Sequence, residues 1–197
     1  MKDTIATVIV DLTPTEEEIM ISIEKSARNG ITRAIKEGLV VEETIDWKNI
    51  YDIYKNTMED GGSEAVRLSD IAEEAIVLFE CKKADKVIAG ASLKMEDGRC
   101  TLQMNASLKE YQYAQPNNLL YWHCIKWAKA KGFEVLDLGG WQINAQGHLE
   151  GINKFKEKWG QIKYFERDYP FFRAMGRKLI KKSPLLFKIN NKIRGRK

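Results

Sequence analysis

The sequence predicts an α/β domain, a mixed and mainly antiparallel sheet flanked by helices. Three observations predict it. Alternating β-branched runs are interleaved with segments of helical spacing. Three consecutive strand-like runs, 75–82, 86–95 and 99–106, are joined at Ala84-Asp85 and at Asp97-Gly98, the latter a hairpin signal. A helix, a short apolar strand, a double glycine and a second short helix then follow between Asn118 and Gly160.

Thr4–Leu12 alternates and reads as a strand. Thr15 with Glu18 three residues on is a capping-box pattern, so one helix is expected to about Glu37, ending at Gly38. Its buried stripe would be Ile19, Ile23, Ala27, Ile31 and Ala34, with Arg28 on the flank and Gly30 permitting close packing or a kink. Val40–Thr44 is a short strand. A helix from about Asp46 to Asp60 carries Trp47, Ile50, Tyr51, Tyr54 and Met58 at helical spacing. Gly61-Gly62-Ser63 is a turn and Ser69–Glu74 a helical turn. Ser107–Asn117 reads as a loop. The helix Asn118–Lys131 buries Leu120, Cys124, Trp127 and Ala128 and exposes His123. Glu134–Leu138 is a strand stopped by Gly139-Gly140, and Gln161–Arg167 a last strand.

Composition narrows the function. The 197 residues, 44% apolar and 30% charged, suit one soluble globular domain (residues 1–168) with a tail (169–197). No run approaches the roughly 20 apolar residues of a spanning helix, so a cytoplasmic protein is expected. Cys81, Cys100 and Cys124 form no Cys-x-x-Cys pair and read as buried reduced thiols; with only two histidines, no metal site is expected. The net charge of +4 hides an asymmetry: ten basic and no acidic residues follow Asp168, leaving 22 basic against 28 acidic before it. That tail suits an anionic membrane surface, tRNA phosphates, or simply a solvated helix.

The short helix after the double glycine carries the most informative side chain. At about 100° per residue Leu149, Ile152, Phe155 and Trp159 form one apolar stripe, and Lys156 falls within its arc. An ammonium there either snorkels past the stripe or is kept for use. Ligands in such sheets collect beyond the carboxyl ends of diverging strands, here Asn105–Ser107 and Leu138–Trp141. Gly139 and Gly140 permit a close backbone approach, or merely stop the strand. Asp137 orients Lys156, accepts a proton, or caps backbone. Tyr121 and Trp141 line an acceptor pocket or belong to the core. Asn105, Asn153 and Phe155 complete the candidate substrate-binding set.

Several of these residues carry a resemblance. Leu119-Leu-x-Trp-x-x-Ile-x-Trp-Ala-x-x-x-Gly-Phe133, Asp137-Leu-Gly-Gly140 and Gly151-Ile-x-x-Phe-Lys-x-x-x-Gly160 resemble the C-terminal half of the FemAB family, peptidoglycan interpeptide-bridge aminoacyltransferases. Lys25-Ser-Ala-Arg28-Asn-Gly-Ile31-Thr-Arg33-Ala34 resembles the family's basic run near its start, so the likeness extends from about Thr4 to Tyr169. It implies a GNAT-type acyltransferase fold and transfer of an aminoacyl group from aminoacyl-tRNA to an amine of a lipid- or nucleotide-linked envelope precursor. It further implies that Lys156 contacts substrate phosphate or the transition state and that Arg28 helps hold the precursor's diphosphate, although Asn29 replaces a family tyrosine. Family enzymes carry two GNAT-like domains, so a partner domain, a homodimer or a smaller acceptor is implied. No cofactor is expected beyond the co-substrate, aminoacyl-tRNA or acyl-CoA. Acetyl-CoA enzymes of this fold carry Gln/Arg-x-x-Gly-x-Gly/Ala between a strand and the next helix; Glu110–Asn117 has no glycine there, and Pro116 removes an N–H. The alternatives are an acyl-CoA-dependent N-acyltransferase and a non-catalytic membrane- or nucleic-acid-binding module.

Overall fold

The computed structural model describes residues 2–62, 64–72, 77–96 and 98–168. The basic tail expected at 169–197 lies outside them, as do Ser63, Asp97 and the ends of two expected elements between 73 and 76. Among the described residues two units are distinguished: residues 6–163, which carry the site, and a second that combines residues 2–5 with residues 164–168.

Seven strands are arranged in the order β2-β3-β4-β5-β6-β1-β7. They are β1 (Lys2–Asp11), β2 (Leu39–Thr44), β3 (Val77–Lys83), β4 (Lys86–Glu96), β5 (Arg99–Ser107), β6 (Val135–Trp141) and β7 (Gln161–Asp168). Among the described pairings all are antiparallel except β5–β6. The mixed, mainly antiparallel sheet is therefore as the sequence predicts. Leu78 and Phe79, successive residues of β3, serve separate apolar clusters, as alternation across a strand requires. Phe79 joins the main core with the helices α2 (Lys25–Lys36) and α5 (Pro116–Ala130). Leu78 meets Ile50 of α3 (Lys48–Asp60) and Met104.

The first helical segment is not one helix. Helix α1 (Glu16–Ser22) ends where Ile23 and Glu24 turn extended, and α2 begins at Lys25. Ile19, Ile23, Ala27, Ile31 and Ala34 are nevertheless all buried. The break is held by Arg28, whose Nη1 donates to Ile21 O at 2.8 Å and Ile23 O at 2.5 Å, satisfying carbonyls that α1 leaves open. The capping box of Thr15 and Glu18 forms as the spacing predicts. Gly30 admits α5: a Cβ there would stand 2.6 Å from the Asn118 side chain. The expected turn after Gly62 leads to a short helix α4 (Leu68–Ala72).

The stretch expected as a loop holds a 3₁₀ turn, Lys109–Ala114, and α5 starts two residues early at Pro116, a residue suited to the first helical position. His123 is half-buried rather than exposed, its ring edge-on to Phe79, and burial lowers its pKa. Trp127 is only partly buried, its indole donating to Glu43. The three cysteines are buried and free; burial pushes the Cys81 and Cys100 thiols up to about 12, so neither is a nucleophile at neutral pH.

Candidate active site

Strands β5 and β6 run side by side in parallel only briefly. Cys100 pairs with Leu136 and Thr101 with Asp137, and no further pair joins them. Beyond that point β5 follows β4, to Ser107 opposite Ala89, while β6 follows β1, with Gly140 opposite Thr7 and Trp141 opposite Ala6. The two carboxyl ends therefore part, opening the sheet edge-wise where polar backbone is left without a neighbouring ladder.

Gly139 and Gly140 stand at this fork. Gly139 has φ +77°, a conformation that favours glycine, and a Cβ there would meet Leu102 O at 3.2 Å and Lys156 Nζ at 3.6 Å. Asp137 shapes the turn: its Oδ1 accepts the Gly139 N–H at 2.7 Å and a hydrogen bond from the Thr7 hydroxyl. The Thr7 Oγ1 also lies 2.8 Å from Gly139 O, so its single proton is shared between two acceptors. Of the three roles the sequence leaves to Asp137, capping backbone is the one these bonds describe.

Lys156 is on α6 (His148–Glu157), and its Nζ donates to Gly140 O at 3.0 Å. Burial lowers its pKa, and the nearby Asp137 carboxylate works against that shift. An ammonium has three N–H groups, so this one, tied to a carbonyl by a single bond at the mouth of the fork, keeps donors for a ligand. Lys156 is half-buried, with its ammonium turned toward Gly139 and Gly140.

The rest of the short helix departs from the expected stripe. Leu149 and Ile152 are exposed, and the buried residue is polar: Asn153. Its side chain accepts the Gln142 N–H at 3.0 Å and donates to Gln142 O at 2.8 Å, pinning the segment after β6 to α6. Asn153, expected among the substrate-binding residues, thus clamps the backbone of Gln142. Trp141 is similarly tied, its Nε1 donating to Glu157 at 2.6 Å. Of the two places the sequence leaves to Tyr121, the core is the one its packing describes: it is 3% exposed against Phe155 and Trp159, and burial raises its phenol pKa. Asn105 reaches back to Gly90 O at 3.4 Å, and Arg28 is engaged with α1.

Sequence reasoning thus places Asp137, Gly139, Gly140 and Lys156 together and misses Thr7 and Gln142. Thr7 is a buried hydroxyl within an apolar strand, beside an irregularity in register between Thr7 and Ile9, and that polar interruption is the signal that marks it. Two clefts flank α6. One of about 540 Å³ lies between the end of α3, the 3₁₀ turn and His148, at the tip of β5. The other, about 830 Å³, lies along Ile9–Asp11, Glu18, Glu24 and Glu157–Gln161. Lys156 lines neither.

The site is thus a diverging parallel pair followed by a helix that returns a cation to the fork. The family model described as acetyltransferase (GNAT) domain matches residues 52–157, and the chain belongs to that family. A search of curated proteins found no match. Among solved structures the chain is similar to FemX, with TM-score 0.68 and 17% identity over 82% of this chain and 61% of that one. It is also similar to L-PGS from Bacillus licheniformis, TM-score 0.59 and 13% identity over 88% and 64%. The C-terminal domain of a protein described as a lysylphosphatidylglycerol synthetase, from Agrobacterium fabrum, gives TM-score 0.62 and 13% identity over 84% and 60%. These likenesses establish the fold. The chain spans about three-fifths of the length of the structures it matches.

Proposed function

We propose that the protein is a FemAB-like aminoacyltransferase, moving an aminoacyl group from aminoacyl-tRNA to an amine of a cell-envelope precursor. The observation that carries this reading is the Lys156 ammonium held at Gly140 O, at the point where β5 and β6 part. An acyl carbonyl lodged in the fork would develop negative charge on its oxygen as the acceptor amine attacks. A desolvated cation nearby stabilises that charge more than it stabilises the neutral ester, which is the condition for accelerating the step. The tetrahedral adduct then collapses to the amide: the C–O bond to the ribose breaks, and the proton given up by the attacking nitrogen passes to the departing ribose oxygen, which leaves as the hydroxyl of the tRNA. Asp137 balances the ammonium electrostatically and holds Gly139 in its turn; the Thr7 hydroxyl fixes that carboxylate.

The connection between β5 and α5 supports a donor other than acyl-CoA. Pro116 has no N–H, the Gln115 N–H is bonded to Gln112 O and the Asn118 N–H to Gln115 O. That leaves little of the backbone cradle on which a pyrophosphate is usually held. The acyl-CoA reading is favoured by a different observation, the family model itself, which describes an acetyltransferase domain. The two separate in one experiment: the purified chain is incubated with charged tRNA or with acyl-CoA esters and amine acceptors, and amide formation is followed. Transfer from charged tRNA is expected, and no thermal shift with any CoA ester. Transfer from CoA thioesters alone would replace the proposal with its rival.

Two of the similar structures are FemX and the C-terminal domain of a lysylphosphatidylglycerol synthetase. Those names support an envelope-directed acceptor, and we extend them to this chain as part of the proposal. A second GNAT-like domain, on another copy or another chain, would complete the acceptor site, and the basic residues after Asp168 suit an anionic membrane surface. Among the described residues no helix is long and apolar enough to cross a membrane.

A further inference from the structure

We infer that Asn153 is a positioning residue for the transfer: by gripping the backbone of Gln142 it sets the turn of α6 from which Lys156 reaches the fork. This rests on the role proposed for Lys156 and adds the residue through which the fold places that side chain.

One turn of α6 lies on the end of β6. Asn153 is bonded to Gln142, Lys156 to Gly140 and Glu157 to Trp141, at spacings that put the three side chains on one helix face. The contact at Asn153 differs in kind from the other two. Asn153 is 4% exposed, whereas the bonds of Lys156 and Glu157 lie in exposed surroundings. It offers a carbonyl to the Gln142 N–H and an N–H to the Gln142 carbonyl, the pair of bonds that a neighbouring strand would give to one residue. Two bonds to one residue prevent the pivoting that a single bond allows. They set both the rotation of α6 about its axis and its place along β6.

Apolar packing does not supply that control. Leu149 and Ile152 are exposed, and the apolar seat of this stretch is Phe155 and Trp159 against Tyr121. Such contacts are non-directional and tolerate small rotations. The connection from Gln142 to Gly147 buries no side chain of its own, which leaves the Asn153 pair to hold the helix to the strand. Lys156 magnifies any slip, because its ammonium stands at the end of a long stem. A small turn of α6 becomes a displacement at Gly140 O, and a misplacement of about 1 Å near reacting atoms can cost about 100-fold in rate. The charged groups around that ammonium are Asp137 of β6, which accepts from Gly139 and Thr7, and Glu157 of its own helix, which accepts from Trp141.

The test compares the wild type with Asn153→Leu, which keeps the volume and loses both bonds. With charged tRNA and acceptor saturating, single-turnover transfer is expected to fall about 10- to 100-fold, with both KM values within about twofold. In a Lys156→Ala background the same substitution is expected to add no further loss, since its effect passes through that lysine. A third readout needs no reaction: the whole chain, labelled with 13C at lysine Cε, is titrated by NMR, the Lys156 signal being the one missing from Lys156→Arg. That signal is expected to titrate below an ordinary lysine in the wild type and to move up toward one in Asn153→Leu, as the freed ammonium reaches water. Asn153→Ala carries the same readouts should Asn153→Leu fail to fold. Full activity, a loss that adds to that of Lys156→Ala, or an unmoved Lys156 midpoint in a folded variant would each overturn the assignment. Failure of the underlying reading looks different: no transfer from charged tRNA, with the Lys156 midpoint still shifted by the substitution.

Discussion

Lys156 is held in its working position by a single backbone carbonyl and by desolvation, and both have chemical consequences. The account needs the amine protonated, because its role is to offset negative charge. Its folded pKa lies below that of an ordinary lysine, so the charged form is lost as pH rises through that lowered value. The alkaline limb of the pH–rate profile should therefore fall at lower pH than an exposed lysine would give. Lys156→Arg, charged at all accessible pH, should remove that limb while retaining partial activity. A limb unchanged in Lys156→Arg would assign the titration to another group. Thr7 acts one step away: without its hydroxyl the Asp137 carboxylate loses one of the donors that fix it beside Gly139.

At the scale of elements, the break between α1 and α2 distinguishes what the sequence tells from what it hides. The apolar spacing Ile19, Ile23, Ala27 continues through the break, since a buried residue in extended backbone can keep the stripe. Periodicity therefore reads one helix where there are two. The Arg28 guanidinium holds the junction, and Arg28→Ala is expected to cost about 1–2 kcal/mol in chemical denaturation, with acceptor KM unchanged. A raised acceptor KM at unchanged stability would instead give Arg28 the diphosphate role implied by the family resemblance. In α6 the signal was partly legible. Lys156 stands out because it falls among apolar residues, yet two of those, Leu149 and Ile152, are exposed, and the helix is anchored through Asn153, a polar residue that no hydrophobic pattern would select. The cleft at the tip of β5 was not legible at all, because it joins α3, the β5–α5 connection and α6 from distant stretches of chain.

Across residues 6–163, the antiparallel run of β3, β4 and β5 was legible from turn signals, while the place of β1 between β6 and β7 and the fork between β5 and β6 depended on long-range pairing. Close approaches hold this arrangement. Gly160 lies so near β1 that a Cβ would stand 2.3 Å from Ile9 O, a clash with backbone that no rotamer change relieves. Gly160→Ala should cost about 3 kcal/mol or more, measured as a shift in denaturation midpoint at constant m. A neutral effect would mean that α6 and β1 tolerate separation, and the fork would then be less rigid than described.

The most direct measurement is single-turnover transfer by Lys156→Ala beside the wild type, at saturating charged tRNA and acceptor. The account predicts a rate lower by about 10²- to 10³-fold, the loss seen when a preorganised oxyanion partner is removed, at unchanged thermal stability and donor affinity. Wild-type turnover in a folded Lys156→Ala enzyme would contradict it.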